Sequence, residues 1–427
     1  MKLVLSFNGS RGDVQPGLAL AATLMGRGHD VVMAVPPNLV EFVTGAGVEA
    51  HPCGGSTDDV LGSGLVSTDL KSSNPARRVR AISELTLRGG RSAQETLLDL
   101  TTDADVIVGS SVGQERALNV AEKRAIPYVP VHYCPVRKNG IVSILPFASG
   151  LAPWLTRASW TVLEQVLWRA TRRTEDELRA DLGLSPAAST TATRIARRGV
   201  PEIQAYDGAL FPGLAREWGP QRPLVGFLDL APRTRRLLHG ESTHDDLDRW
   251  LDAGPPPIYV GFGSMTVPDP ERTSAALVTA AAATGRRLLV ASGWSKFMDR
   301  SPTGSDTLYV TPSVDHSRVL PRCAAAVHHG GAGSTAAGLR AGIPTLVCWF
   351  GADQPMWGRQ ITRAGVGAAL PVRTVTEETL TAAFVDILRD ERASAARALG
   401  RRLTSAENAA TAAVDVIEAV APSKEHR

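Results

Sequence analysis

The chain has 427 residues, more than one ordinary hydrophobic core accommodates, so length alone implies two or three domains. With 43% hydrophobic residues, 21% charged residues and a net charge of +3, it reads as a soluble globular protein with no bulk electrostatic case for nucleic acid. The Arg-rich pieces at 194–198 and 233–236 are short and read as solvated helix faces or linker. Cys53, Cys134, Cys323 and Cys348 form no C-x-x-C pair, and no His stands at a zinc spacing, so they read as buried apolar residues without disulfides.

The N-terminus carries one Lys and an apolar run that stops at Gly9, unlike a signal peptide. No apolar run reaches the ~18 residues of a membrane helix. A cytoplasmic protein without stable membrane insertion is expected, leaving room for a peripheral contact were its substrate a lipid.

In chain order, residues 2–7 are a buried strand closed by the Asn8-Gly9-Ser10 turn. A helix over 16–25 follows, stopped by Gly26 and Gly28, then a strand over 30–35 ended by Pro36-Pro37. Asn38 can cap the next helix, which ends at Gly45 and Gly47. Strand–helix–strand at this spacing is a βαβ unit and implies a parallel sheet. Further strands fall at 105–109 and 128–132, with a helix over 114–124 between them.

The pattern restarts in the second half. A strand at 257–261 ends in the turn Gly263-Ser264, a helix covers 271–283, and a strand covers 288–292. Two more strands, 324–328 and 343–349, flank a helix over 333–341. The expected organisation is an α/β domain over 1–215, a Pro-, Gly- and charge-rich linker over 216–255, a second α/β domain over 256–400, and a helix over 401–427 that could cross back to the first domain, which the sequence does not prove. Ligands of open parallel sheets bind beyond the carboxyl ends of the strands. Two such sheets facing each other would make one cleft, into which both Gly-Ser turns would open.

The most informative stretch is His328-His329-Gly330-Gly331-Ala332-Gly333-Ser334-Thr335, which follows a strand and opens a helix. Glycines admit a ligand close to the backbone, and a helix start offers unpaired N–H groups and a positive dipole end. This is a phosphate site, with Ser334 and His329 as further donors. The same residues also match a loose dinucleotide fingerprint, Gly331-x-Gly333-x-x-Ala336 with Asp353 near the ribose-acid offset. Such a fingerprint normally opens the first βαβ unit of a domain, whereas this one stands late in the second half, behind two His.

The strand at 343–349 runs into Phe350-Gly351-Ala352-Asp353-Gln354-Pro355. A carboxylate and an amide side by side can hold adjacent sugar hydroxyls. The plainer alternative is that Asp353 is a helix N-cap with Pro355 in the first turn, and both can hold at once. Asp13, in Gly9-Ser10-Arg11-Gly12-Asp13, is a carboxylate where the first strand gives way to the first helix. It is a general base by chemistry or a helix cap by position. The tripeptide Arg11-Gly12-Asp13 reads as coincidence in a chain without a secretion signal. Phe147, Trp154, Trp160 and Trp168 either line a pocket for an apolar acceptor or pack amphipathic helices. No D-x-D metal motif stands out: Asp58-Asp59 and Asp245-Asp246 lie in polar loops.

The pair HHGGAGST … ADQP, at 328–335 and 352–355, resembles the donor-binding motif of family 1 glycosyltransferases of the GT-B fold. The opening GSRGDVQP resembles the start of bacterial antibiotic glycosyltransferases and sterol glucosyltransferases, and the likeness runs from Met1 past Gly367. The resemblance implies two Rossmann-like doubly wound domains, a UDP- or dTDP-sugar donor and inversion at the sugar. The acceptor would be a hydrophobic polyketide, macrolide, sterol or other natural product. It implies no cofactor and no metal, and a monomer or homodimer.

By matching position, His329, Gly331, Gly333 and Ser334 would cradle the diphosphate with Ser264, and Asp353 and Gln354 would hold the sugar. Val314 and His316 would lie on the base-binding loop, which here reads Val-Asp-His where relatives often carry Val-Pro-His. Ser10, Arg11 and Gly12 would face the donor, Asp13 would be the base, and Phe147 and Trp154 would line the acceptor pocket. Plant relatives use a His near the first strand end, whereas the first His of this chain is His29. Within the family the Trp349–Pro355 stretch looks closer to glucose-using sterol-type members, which favours UDP-glucose over a dTDP-sugar. Two alternatives stand beside it: a nicotinamide-dependent oxidoreductase built on the dinucleotide fingerprint, and a sugar-nucleotide epimerase or binding protein of the same fold, which has little use for Asp13.

Overall fold

A computed structural model of the chain describes residues 1–55, 89–143, 151–239, 245–293, 297–298 and 305–420. It divides into two compact units, Met1–Gly208 with Gly213–Glu241 and Thr404–Arg427, and Ala209–Pro212 with Ser242–Leu403.

The first unit holds β1 (Lys2–Ser6), β2 (Asp30–Val35), β3 (Glu49–Pro52), β4 (Val106–Ser110), β5 (Tyr128–His132) and β6 (Ile203–Gln204). The second holds β7 (Ile258–Gly261), β8 (Leu288–Ala291), β9 (Leu308–Thr311), β10 (Ala325–His328), β11 (Thr345–Trp349) and β12 (Gly367–Pro371). Every ladder is parallel, and the orders are β3-β2-β1-β4-β5-β6 and β12-β11-β10-β7-β8-β9. Counted within each unit, both orders are 3-2-1-4-5-6. The direction of winding therefore reverses between β1 and β4 and between β7 and β10, where such folds bind their ligands.

Alternation along the strands explains the two-sided winding. Leu3 and Leu5 of β1 join Met33, Val106 and Val108 on one face, under the helices Arg11–Gly26 and Ala406–Val420. Val4, Val32 and Ile107 point the other way, against Ala117, Leu118 and Ala121 of the helix Gln114–Arg124. In the second unit Ile258, Val260, Leu288 and Val290 take one face, and Tyr259, Leu289 and Ala291 the other.

The helix Ala406–Val420 belongs to the first unit: Ala409, Ala413, Val414 and Ile417 are buried there, and Glu418 pairs with Arg27 and His29. The stretch read as a linker is not one throughout. Val225, Leu228 and Leu230 enter the core of the first unit, and Leu247 and Leu251 that of the second. The first helix also differs from expectation. It begins at Arg11 rather than Pro16, because Ser10 caps it, and Pro16 lies inside it.

Arg194, read as solvated, is half-buried, paired with Glu122 at 3.1 Å and Glu175 at 2.7 Å. Cys53, Cys323 and Cys348 are buried, Cys134 is half-buried, and all four are free thiols. Among the described residues no helix is long and apolar enough to cross a membrane.

Candidate active site

Beyond β1 the chain turns through Gly9 and enters the helix Arg11–Gly26 with Ser10 as its N-cap. The Ser10 N–H and hydroxyl both donate to Asp13 Oδ2, at 2.7 and 2.9 Å. Asp13 is thus the third helical residue of a capping box and not the cap itself. Gly9 has φ +118°, and a Cβ there would lie 2.4 Å from Asp13 Oδ2, so only glycine lets the carboxylate fold back over the turn. The Tyr133 hydroxyl donates to the Asp13 carbonyl at 2.8 Å, and burial and the Asp13 charge hold that phenol well above its usual pKa. Arg11 does not join this group: its guanidinium lies 4.7 Å over the Phe42 ring. Gly12 is exposed at the same helix start.

In the second unit β7 and β10 are neighbours with Gly261 opposite His328, so the turns that follow them lie side by side. A Cβ on Gly263 would come 3.2 Å from His329 Cε1, and one on Gly331 2.6 Å from its Nε2. The His329 ring is therefore held between the Gly-Ser turn of Ser264 and the start of the helix Ala332–Arg340. Gly331 is the N-cap of that helix and no side chain caps it, so its first N–H groups are left for a ligand. Gly333 is exposed and faces open space, with Ser334 half-buried beside it.

Burial, with His316 nearby, brings His329 down to about 4, so the ring is neutral at neutral pH. His328 Nδ1 accepts from the Gly330 N–H at 2.9 Å, which fixes the ring beneath the loop.

Asp353 is the N-cap of the helix Gln354–Arg363, yet its side chain makes no cap bond. It accepts instead from the Trp357 indole N–H at 3.0 Å, and burial raises its pKa. Gln354 is only 7% exposed, and its carbonyl accepts from the Phe350 and Gly351 N–H groups at 2.8 and 3.3 Å. It therefore shapes the turn from within and offers a ligand less than Asp353 does. His316 Nε2 lies 2.8 Å from the Tyr259 hydroxyl, and Val314 packs on the same cluster, just past β9. Asp315 caps the short helix His316–Val319 by accepting from the Ser317 N–H at 2.9 Å, a reason for Asp between Val314 and His316.

The aromatic alternatives separate. Trp160 is core, its indole donating to the Val142 carbonyl at 2.8 Å, whereas Trp154 is 67% exposed on the helix Pro153–Asp181. Phe147 lies outside the described residues. Sequence reasoning missed Tyr133, Tyr259 and Trp357. Only the last had a local signal, its spacing of four from Asp353 on one helix face.

Buried neutral histidines imply a pH dependence. Burial also brings His132 down to about 4. An unfolded His titrates near 6.5, so between about 6.5 and 4 the unfolded chain binds protons that the folded chain does not. Stability is complete above this window and falls within it by about 1.4 kcal/mol per pH unit for each such His. Asp353 opposes weakly: its raised folded pKa makes its contribution largest at low pH and lost as pH rises. Urea unfolding at pH 7, 6 and 5 should show a declining free energy, with a shallower slope in His132→Gln. A flat profile would mean that the two rings are charged in the fold.

Comparison with known proteins agrees with this fold. Residues 3–140 match the glycosyltransferase family 28 N-terminal domain, and residues 306–420 the erythromycin biosynthesis protein CIII-like C-terminal domain. An uncharacterised glycosyltransferase of Mycobacterium tuberculosis is 38% identical over 98% of this chain and 98% of its own. A sterol 3-beta-glucosyltransferase of Arabidopsis thaliana is 31% identical over 96% of this chain and 64% of its own. The glycosyltransferase of kitacinnamycin shares the fold with a TM-score of 0.71 at 19% identity, covering 99% of both chains. The glycosyltransferase VinC, solved with dTDP, does so at 0.67 and 17%, covering 98% of this chain and 100% of its own. Two six-stranded parallel sheets with helices on both faces are the architecture of the GT-B sugar transferases. The chain belongs to the family 1 glycosyltransferases of that fold.

Proposed function

We propose that the chain is an inverting glycosyltransferase that moves glucose from UDP-glucose onto a hydroxyl of a hydrophobic natural product. The observation that carries this reading is the uncapped helix start at Gly331, with the neutral His329 ring against it. A diphosphate leaving group needs its growing charge met by fixed donors, and helix N–H groups with a ring N–H meet it. In this reading Gly331, Gly333, Ser334 and Ser264 surround the diphosphate, Asp353 holds sugar hydroxyls, and Val314 and His316 support the base. Ser10 and Gly12 serve the donor through the loop they build, and Gln354 keeps the Asp353 turn in shape.

The acceptor oxygen attacks the anomeric carbon as its bond to the phosphate oxygen breaks. Asp13 takes the acceptor proton and the nucleoside diphosphate departs. No metal and no cofactor enter these steps. Trp154 remains the proposed acceptor contact, and a cytoplasmic site of action fits a nucleotide-sugar substrate.

Glucose is favoured by the plant relative, named a sterol glucosyltransferase. A dTDP-sugar is the second reading, favoured by the fold's likeness to a transferase solved with dTDP. A thermal-shift panel of UDP, dTDP, UDP-glucose, dTDP-glucose and NAD separates them. A ligand at ~100 times its dissociation constant stabilises the fold by ~2.7 kcal/mol. Stabilisation by UDP and UDP-glucose is expected. A shift with the dTDP pair alone moves the reading to a dTDP-sugar, and a shift with NAD alone ends it.

A further inference from the structure

β4 and β5 run side by side with Ser110 opposite Val131. Ser111 follows the first, and His132 ends the second. Ser111 Oγ lies 2.7 Å from His132 Nδ1, and His132 Nε2 lies 3.1 Å from Glu202 Oε2. His132 and Glu202 are both 0% exposed. Arg137 Nε donates to Glu202 at 2.5 Å and Arg222 Nε at 2.8 Å, and these partners hold the carboxyl far below its usual range although burial opposes them.

An ionised carboxylate only accepts, so the hydrogen of the neutral His132 ring sits on Nε2 and Nδ1 is a lone pair. Ser111 must then give its hydroxyl hydrogen to Nδ1. What the half-buried Ser111 oxygen offers outward is lone pairs alone.

The ring takes no second proton at neutral pH, because burial and Arg137 oppose its charge more than Glu202 favours it. The chain Ser111–His132–Glu202 is therefore held in one tautomer. It is a device for fixing which way a serine hydroxyl points. Left alone, a serine rotates and both donates and accepts. This one can only accept.

Its place in the fold bears on the acceptor. Ser111 follows β4, and β1 and β4 flank the point where the winding of the first sheet reverses. A Cβ on Gly113, two residues on, would lie 3.2 Å from Asn8 Nδ2 beyond β1. Tyr133, next to His132, holds the Asp13 backbone. The oriented serine and the proposed base thus stand at one end of one sheet.

We propose that Ser111 is a specificity-determining residue whose oxygen accepts a hydrogen bond from a second O–H or N–H group of the acceptor molecule. The inference rests on the transferase reading above. The attacking hydroxyl has one hydrogen and gives it to Asp13, so the partner of Ser111 is a further donor on the same molecule. The acceptor class is then one with a second donor beside the attacking hydroxyl, such as a polyketide polyol, an aminated polyketide or a polyphenol, rather than an alcohol with one hydroxyl such as a simple sterol. His132 and Glu202 act through Ser111 as positioning residues.

The test uses the full chain with UDP-glucose and dTDP-glucose as donors. The acceptors are macrolactone polyols and polyphenols, each paired with an analogue lacking one further hydroxyl, and a 3β-hydroxysterol. Wild type is expected to favour the fuller member of at least one pair by about 3- to 10-fold in kcat/KM, the worth of one neutral hydrogen bond. Ser111→Ala should erase that preference through acceptor KM, with donor KM unmoved and only a modest loss of stability from the buried His132 Nδ1 it leaves unpaired, and Ser111→Thr should restore it. Equal preference in wild type and Ser111→Ala, or no preference in a wild type that transfers, overturns the inference and leaves the transferase reading standing. A wild type that transfers sugar to no acceptor from either donor overturns the reading, and the inference with it.

Discussion

Asp13→Asn should lower the rate of sugar transfer by about 10²- to 10⁴-fold, the usual worth of a positioned general base. The amide keeps an oxygen that can accept from the Ser10 N–H, so the helix start survives while the proton acceptor is lost. Asp13→Ala removes both, and loss of the capping-box partner should add destabilisation of about 0.5–1 kcal/mol. Affinity for the nucleoside diphosphate should stay near wild type in each variant, since in the proposed reading that ligand sits at Gly331–Ser334. Initial rates at saturating donor, with calorimetric titration of UDP, read the two effects separately. Turnover of Asp13→Asn within a few-fold of wild type would remove Asp13 as the base and leave it a capping residue only.

His329→Ala should lower kcat by about 10²- to 10³-fold, as removal of one preorganised donor does where charge develops on a leaving group. The ring lies between two glycine-lined turns, so its loss opens space and leaves the backbone of both turns in place. His329→Gln restores an N–H donor near the same position and should recover part of the rate. The fall should appear in kcat more than in donor KM, because the leaving oxygen carries its full charge only as the bond breaks. An equal loss of UDP-glucose affinity with kcat unchanged would make His329 a binding residue and not a leaving-group stabiliser.

Eight of the twelve strands among the described residues are legible in the sequence as apolar runs ended by turns, and the four that are not, β3, β6, β9 and β12, are the sheet edges. An edge strand buries less and needs no continuous apolar run. β3 has no fully buried residue, β6 has two residues, and β12 is Gly-Ala-Ala-Leu-Pro. The glycine-rich turn at 330–333 was legible because glycines between a strand and a helix mark a close approach of backbone and an open helix start. Asp353 was legible as a carboxylate at a strand end, but its bond to Trp357 and the inward turn of Gln354 were not.

By itself the sequence determined two repeats of the βαβ pattern, the glycine-rich helix start behind two His, and the carboxylate after the first Gly-Ser turn. These are local features, set by side-chain period, backbone freedom and turn chemistry within a few residues. Only the tertiary structure decided that β7 pairs with β10, which brings Gly263 against His329. It settled the return of the helix Ala406–Val420 to the first unit, which the sequence left open, and it alone set the half-buried Arg194 among carboxylates. It alone joined Ser111, His132 and Glu202 across 91 residues of chain. Such pairings follow from which surfaces exclude water together, and that is a property of the packed sheets, not of any one segment's pattern.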